Sequence, residues 1–115
     1  MKSGTVYEQG EIVFVPFPFT DLSTTKKRPV LVLSKTEYNK RTEDFVTCGI
    51  TSNIQDVEYS VLIDNSSMAY GTLPRQSRIK VDKIFTLEQS LVVKRLARVK
   101  MEVMQKVKEE MFKLV

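Results

Sequence analysis

Apolar positions along the chain fall into short blocks, and their period changes only near the C-terminus. The block "EIVFVPF" at 11–17 is rich in β-branched residues and follows the turn residue Gly10. It predicts a strand closed by Pro16 and Pro18. Turn and hydroxyl residues make "DLSTTKK" at 21–27 a loop. "PVLVLS" at 29–34 has no polar face, so it predicts a strand buried on both sides. Its leading proline forfeits only one ladder donor. Polar "TEYNKRTED" at 36–44 connects to a third strand, "FVTCGITS" at 45–52. "VEYSVLI" at 57–63 alternates and predicts a fourth. The turn-rich "DNSSMAYGTLPRQ" at 64–76 has room for a short helical turn. In "SRIKVDKIFTL" at 77–87, a fifth strand, alternation sets Ile79, Val81 and Lys83 against Arg78, Lys80 and Asp82. "LVVKRL" at 91–96 is a short sixth.

Past residue 100 the spacing becomes helical. Met104, Val107, Met111, Leu114 and Val115 recur on one side of an amphipathic helix of about four turns. Methionines 101, 104 and 111 read as core filler. Five or six short strands and a terminal helix predict a mainly β fold, a small twisted sheet or barrel capped by that helix.

Composition narrows the chemistry. The length of 115 residues suggests one domain, 1–115, able to bury a core without disulfides or a structural metal. No apolar run approaches the roughly 18 residues of a membrane span. "MKSGTVYEQG" lacks the apolar centre of a signal peptide, so a cytoplasmic location is expected. The single cysteine, Cys48, fits a reducing compartment. There is no histidine, which removes the commonest general base and transition-metal ligand; no metal or other cofactor is expected. The net charge of +4 is uneven: residues 1–58 carry seven cations and eight carboxylates, residues 59–115 eleven and six. A basic excess of this kind fits a polyanionic partner.

Three places could grip a phosphate. Arg28 offers a planar five-donor fork where a loop meets a strand, with Lys26 and Lys27 beside it. The same "KKR" also reads as a solvated charge run. Thr51 and Ser52 end the third strand with hydroxyls, or simply form a strand exit. Ser77, Arg78, Lys80 and Asp82 lie on the fifth strand, either as a charged working face or as a cross-strand ion-pair ladder.

Taken together, "GEIVFVPFPFTDLS", "KKRPVLVLS", "GITS" and "SRIKVDKIFTL" resemble, in order and spacing, the MazF/PemK family of toxins, in its "PFPFTDLS" branch. The resemblance runs from Gln9 to the end of the chain. It implies an SH3-like barrel of five to seven strands with a C-terminal helix, usually in a homodimer. It also implies a metal-free endoribonuclease that cuts single-stranded RNA at short sequences, and a cognate antitoxin bound on the same face. Carried over by motif, Arg28 matches the family's catalytic arginine and Thr51 its active-site threonine. Lys80 stands where some members have a second catalytic arginine, Asp82 where those members have a catalytic aspartate, and Ser77 matches a frequent serine. Many members have a "GSEQxGxRP" loop where this chain has "DLSTTKKRP".

Metal-free RNA cleavage uses the substrate's own 2′-hydroxyl as nucleophile and leaves a 2′,3′-cyclic phosphate and a 5′-hydroxyl. In this scheme Arg28 stabilises the phosphorane, Thr51 adds a donor, Asp82 is the candidate base and Lys80 the candidate acid. The loop 20–27 would gate the groove, with Phe17 and Phe19 stacking bases. The alternatives are a non-catalytic SH3-like binding module and a gyrase-directed toxin of the same fold. Retention of both Arg28 and Thr51 argues against these.

Overall fold

Each β-branched block forms a strand, and consecutive strands fold back on one another. The computed structural model describes residues 5–18 and 25–115. The elements run β1 (Glu11–Pro18), β2 (Thr25–Val32), α1 (Thr36–Arg41), β3 (Asp44–Thr51), β4 (Ser60–Ile63), β5 (Met68–Gly71), β6 (Ser77–Glu88), β7 (Lys94–Val99) and α2 (Met101–Leu114). The seven strands make a curled antiparallel sheet in the order β4-β6-β3-β2-β1-β7-β5.

Both faces of its centre are buried, as the unbroken apolar run of β2 predicts. On one face Ile12, Leu31, Cys48, Ile50 and Ile79 pack with Val103, Met104 and Val107 of α2. On the other lie Val13, Val15, Val30, Val32 and Phe45, covered in part by Tyr7, Leu87 and Val92. Each such side chain removed from water contributes about 1.5–3 kcal/mol. Pro16 does not end β1, which runs on to Pro18. The two prolines pair with Lys27 and Thr25 of β2, beyond Phe14, where the register with β7 stops. A missing N–H is tolerated on such a half-paired extension.

Four expectations need correction. The polar stretch after β2 holds the six-residue helix α1, with Glu37 in its first turn and Lys40 and Arg41 in its last, as the helix dipole favours. β4 begins at Ser60 rather than residue 57, because Tyr59 adopts φ 57° and breaks the extended chain. The turn-rich 64–76 stretch holds the expected helical turn, Asn65–Ser67, but also a strand that was not expected, β5. Met101 is 89% exposed, so it is not core filler, and Val115 at the end of α2 is also exposed. Gly71 shows why β5 can lie against β7: at φ 79°, an added Cβ would clash with the Leu96 carbonyl oxygen.

One buried charge ties the N-terminal arm to the sheet. Glu11 is 1% exposed. Its carboxylate accepts from Arg95 Nε at 2.8 Å, from the Tyr70 hydroxyl at 2.9 Å and from the Glu8 backbone N–H at 2.7 Å. Arg95 also donates to the Val6 carbonyl at 2.7 Å and lies 4.6 Å from the Tyr7 ring centre. Burial, and then the bond to Glu11, push the Tyr70 phenol above its usual pKa.

Candidate active site

The geometry of the site starts from an irregularity between β3 and β6. Cys48 stands opposite Ile84, but its neighbour Gly49 stands opposite Lys80. One step along β3 therefore matches four along β6, and residues 81–83 form a bulge. Val81 turns into the core, fully buried, with its N–H donating to the Tyr59 carbonyl at 2.9 Å. A bulge of three residues reverses the alternation beyond it. Lys80 before it, Lys83 at its end, and Phe85 and Leu87 after it all line one cavity. The side chain of Lys83 lies across Gly49, where an added Cβ would stand 3.6 Å from Lys83 Cβ.

That cavity, about 930 Å³, collects residues from most of the chain. Arg28 and Pro29 come from β2, Gly49, Ile50 and Thr51 from β3, and Pro16 from β1. Asn53, Gln55 and Val57 from the β3–β4 loop line another side, and Leu91, in the turn after β6, lines a further one. Among the described residues the lining holds three cations and no carboxylate, which favours an anion inside. Groups of three or more acidic, histidine or cysteine side chains able to hold a metal are absent among the described residues.

Arg28 pairs with Val15 across the β1–β2 ribbon and is half-buried, which limits where its fork can point. The Asn53 backbone N–H donates to Thr51 Oγ1 at 3.1 Å. That bond occupies an acceptor position and leaves the hydroxyl proton free to be donated. Asn53 Oδ1 in turn accepts from the Gln55 N–H at 3.1 Å, which shapes the loop. At the far wall, Gln89 Nε2 donates to the carbonyls of Asn39, Thr42 and Asp44 at 2.9, 3.1 and 2.8 Å, fixing the turn that carries Leu91.

The other candidates are distributed differently from the period-two reading. Asp82 is not a lining residue; its carboxylate sits 3.9 Å from Lys80 Nζ. Arg78 is engaged by the β3–β4 loop. It donates to the Ile54 carbonyl and Ser60 Oγ, both at 3.1 Å, and lies 3.5 Å from Asp56. Ser77 is buried and donates to the Arg75 carbonyl at 3.0 Å. Ser52, Lys26 and Lys27 are exposed and lie outside the cavity wall. Phe19 and loop residues 20–24 lie outside the described residues, as does the side chain of Phe17. Sequence reasoning did not single out Asn53, Gln55, Val57, Lys83, Phe85, Leu87 or Leu91. The apolar "IFTL" beside a cation was the one visible signal.

Cys48 lies beside Gly49 but faces the core. Burial, with a smaller contribution from the negative charge of Asp82, pushes its thiol up to about 12 from 9.0. An acid whose folded pKa is raised favours the folded state below the unfolded value and loses that advantage as pH rises. Stability should therefore fall between about pH 9 and 12 by up to about 1.4 kcal/mol per pH unit from this group. Denaturant unfolding across that range should show a shallower fall in Cys48→Ala than in the unmodified protein. Parallel curves would contradict the assignment.

A model of PemK-like, MazF-like toxins of type II toxin–antitoxin systems matches residues 8–115. The chain belongs to this family. Its fold is also that of solved family structures. It resembles a MazE–MazF complex from Deinococcus radiodurans with TM-score 0.78 and 22% identity, over 96% of each chain. An endoribonuclease in complex with its cognate antitoxin, from a mycobacterial species, aligns with TM-score 0.75 and 20% identity, over 93% of this chain and 92% of that one. An endoribonuclease from a mycobacterial species aligns equally well at 0.75 and 20%, over 95% and 90%. Comparison with curated proteins finds no match. Among the described residues, no helix is long and apolar enough to cross a membrane.

Proposed function

We propose that this PemK/MazF-like toxin is a metal-independent endoribonuclease acting on single-stranded RNA, with its site in the cavity between β2, β3 and β6. The observation that carries the reading is the convergence of Arg28, Thr51 and Lys80 on one cavity whose lining, among the described residues, holds cations and no carboxylate. A site of this kind suits a substrate that brings its own nucleophile. The 2′-oxygen attacks phosphorus as its proton passes to solvent water, the P–O5′ bond breaks, and the departing 5′-oxygen takes a proton from Lys80, which is reprotonated from solvent. DNA lacks the attacking group, so selectivity for RNA follows from the chemistry.

In this scheme Arg28 binds two equatorial oxygens of the phosphorane as their charge grows. The Thr51 hydroxyl, its acceptor side held by Asn53, donates to the same phosphoryl group. Lys80 supplies the leaving-group proton. Asp82 acts through Lys80, orienting its ammonium from 3.9 Å, rather than by touching RNA. Arg78 holds the loop that carries Asn53, Gln55 and Val57.

Two partners complete the proposal. A cognate antitoxin, acidic and partly disordered before binding, would cover the same cationic cavity. Its relevance is supported by the MazE–MazF complex among the similar structures. A second copy of the chain would form a homodimer; exposed Met101, Phe112 and Val115 on α2 are apolar surface suited to burial.

The test is incubation with mixed-sequence single-stranded RNA in excess EDTA. Cleavage should proceed at the rate seen with magnesium. Activity that appears only with added metal would contradict the reading.

A further inference from the structure

Beyond the phosphate grip, the cavity has a second half of different character. Lys83 stands at the bulge, and Phe85 and Leu87 follow it at two-residue steps on the same face of β6. Val57 and Leu91 add apolar surface. Phe85 is 37% exposed, and its backbone is held by the Thr47 hydroxyl, which donates to the Phe85 carbonyl at 3.0 Å. Adjacent same-face positions on a strand are about 6.6 Å apart. That separation is of the order of one nucleotide step. A cation followed at that distance by an aromatic ring in an apolar recess matches the chemistry of one nucleotide: phosphate, then base.

We propose that Lys83 and Phe85 form a nucleotide subsite next to the scissile phosphate, with Lys83 on the flanking phosphate and an unpaired base stacked on Phe85. The proposal rests on the reading of the cavity as an RNA site and adds how far along β6 the strand is held. RNA rather than an apolar peptide is favoured because the recess is continuous with Arg28, Lys80 and Lys83, and among the described residues no lining carboxylate offsets them. The three-residue bulge is what makes the subsite: without it Lys83 would face the opposite side of the sheet.

The test uses uncleavable probes, so it stands apart from catalysis: 2′-O-methyl dodecamers of U, C or A, and an abasic dodecamer with the same phosphates. Affinity is read by fluorescence anisotropy over a salt series. Phe85→Ala should weaken the base-bearing dodecamers about five- to hundredfold and leave the abasic one unchanged, as expected for loss of one stacking contact. Phe85→Tyr should restore binding. Lys83→Met should weaken both kinds of probe alike and reduce the salt slope by about 0.7. Equal effects of Phe85→Ala on the base-bearing and abasic dodecamers would overturn the proposal. So would a lack of effect on either, an effect confined to binding of an acidic peptide, or a lack of dodecamer binding by the unmodified protein. Binding with the expected pattern but no RNA cleavage in EDTA would support the subsite while removing the nuclease reading.

Discussion

Arg28→Ala should lower the rate of RNA cleavage by about a hundredfold or more, because a preorganised donor to a developing oxyanion is lost. The fold should survive. Arg28 is half-buried at the edge of the ribbon, while the apolar contacts of β2 come from Val30, Leu31 and Val32, all fully buried. Its thermal unfolding should therefore stay close to that of the unmodified protein. Arg28→Lys keeps the charge but exchanges a bidentate fork for a point charge, so it should recover only part of the activity. Single-turnover cleavage of a fixed RNA, measured beside an unfolding curve, separates the two effects. A rate within about threefold of the unmodified protein would show that Arg28 is not the phosphorane donor.

The largest expected effect on stability lies away from the cavity. Arg95→Met leaves the Glu11 carboxylate buried with only Tyr70 and a backbone N–H for partners. Removing one partner of a buried ion pair typically costs about 3–5 kcal/mol. Because the Arg95 side chain is 41% exposed, the lower end applies, about 3 kcal/mol or roughly a 10 °C fall in Tm. The doubly substituted protein, Glu11→Gln with Arg95→Met, should be less destabilised than the sum of the single variants, since the stranded charge is gone. Urea unfolding of the three variants measures this coupling. A single-variant loss within about 0.5 kcal/mol would place the pair among weak surface ion pairs.

These two residues also show what a linear reading can and cannot see. Arg28 was legible because it abuts Pro29 and a wholly apolar strand, an arrangement that local composition makes conspicuous. Arg95 and Glu11 were not, because their pairing depends on β7 returning beside β1 from 84 residues away. The long β-branched blocks gave β1, β2, β3 and β6 to within a few residues, since their apolar faces are both numerous and buried. β5 was missed because "MAYG" has little β propensity and is held by pairing with β7. α1 was missed because it buries Asn39 and no apolar stripe.

That Arg28, Thr51 and Lys80 share one cavity was legible in the sequence, and the cavity's far half was misread for one reason. Strict alternation carried through 77–87 places Asp82 with Lys80 and sends Lys83 to the core side. The bulge at 81–83 undoes that phase, and no residue type at those positions announces it. Arg78 misled in a similar way. As a cation on the exposed parity of a basic strand it reads as an RNA contact, but the loop it clamps is distant in sequence from β6.

The account's central claim is that the RNA attacks itself while Arg28 holds the phosphorane. Mass spectrometry of RNA ends after digestion in EDTA tests that claim most directly, with Arg28→Ala run alongside. The account predicts 2′,3′-cyclic phosphate and 5′-hydroxyl ends made by the unmodified protein and absent with the variant. Ends bearing 3′-hydroxyl and 5′-phosphate, or equal cleavage by both proteins, would contradict it.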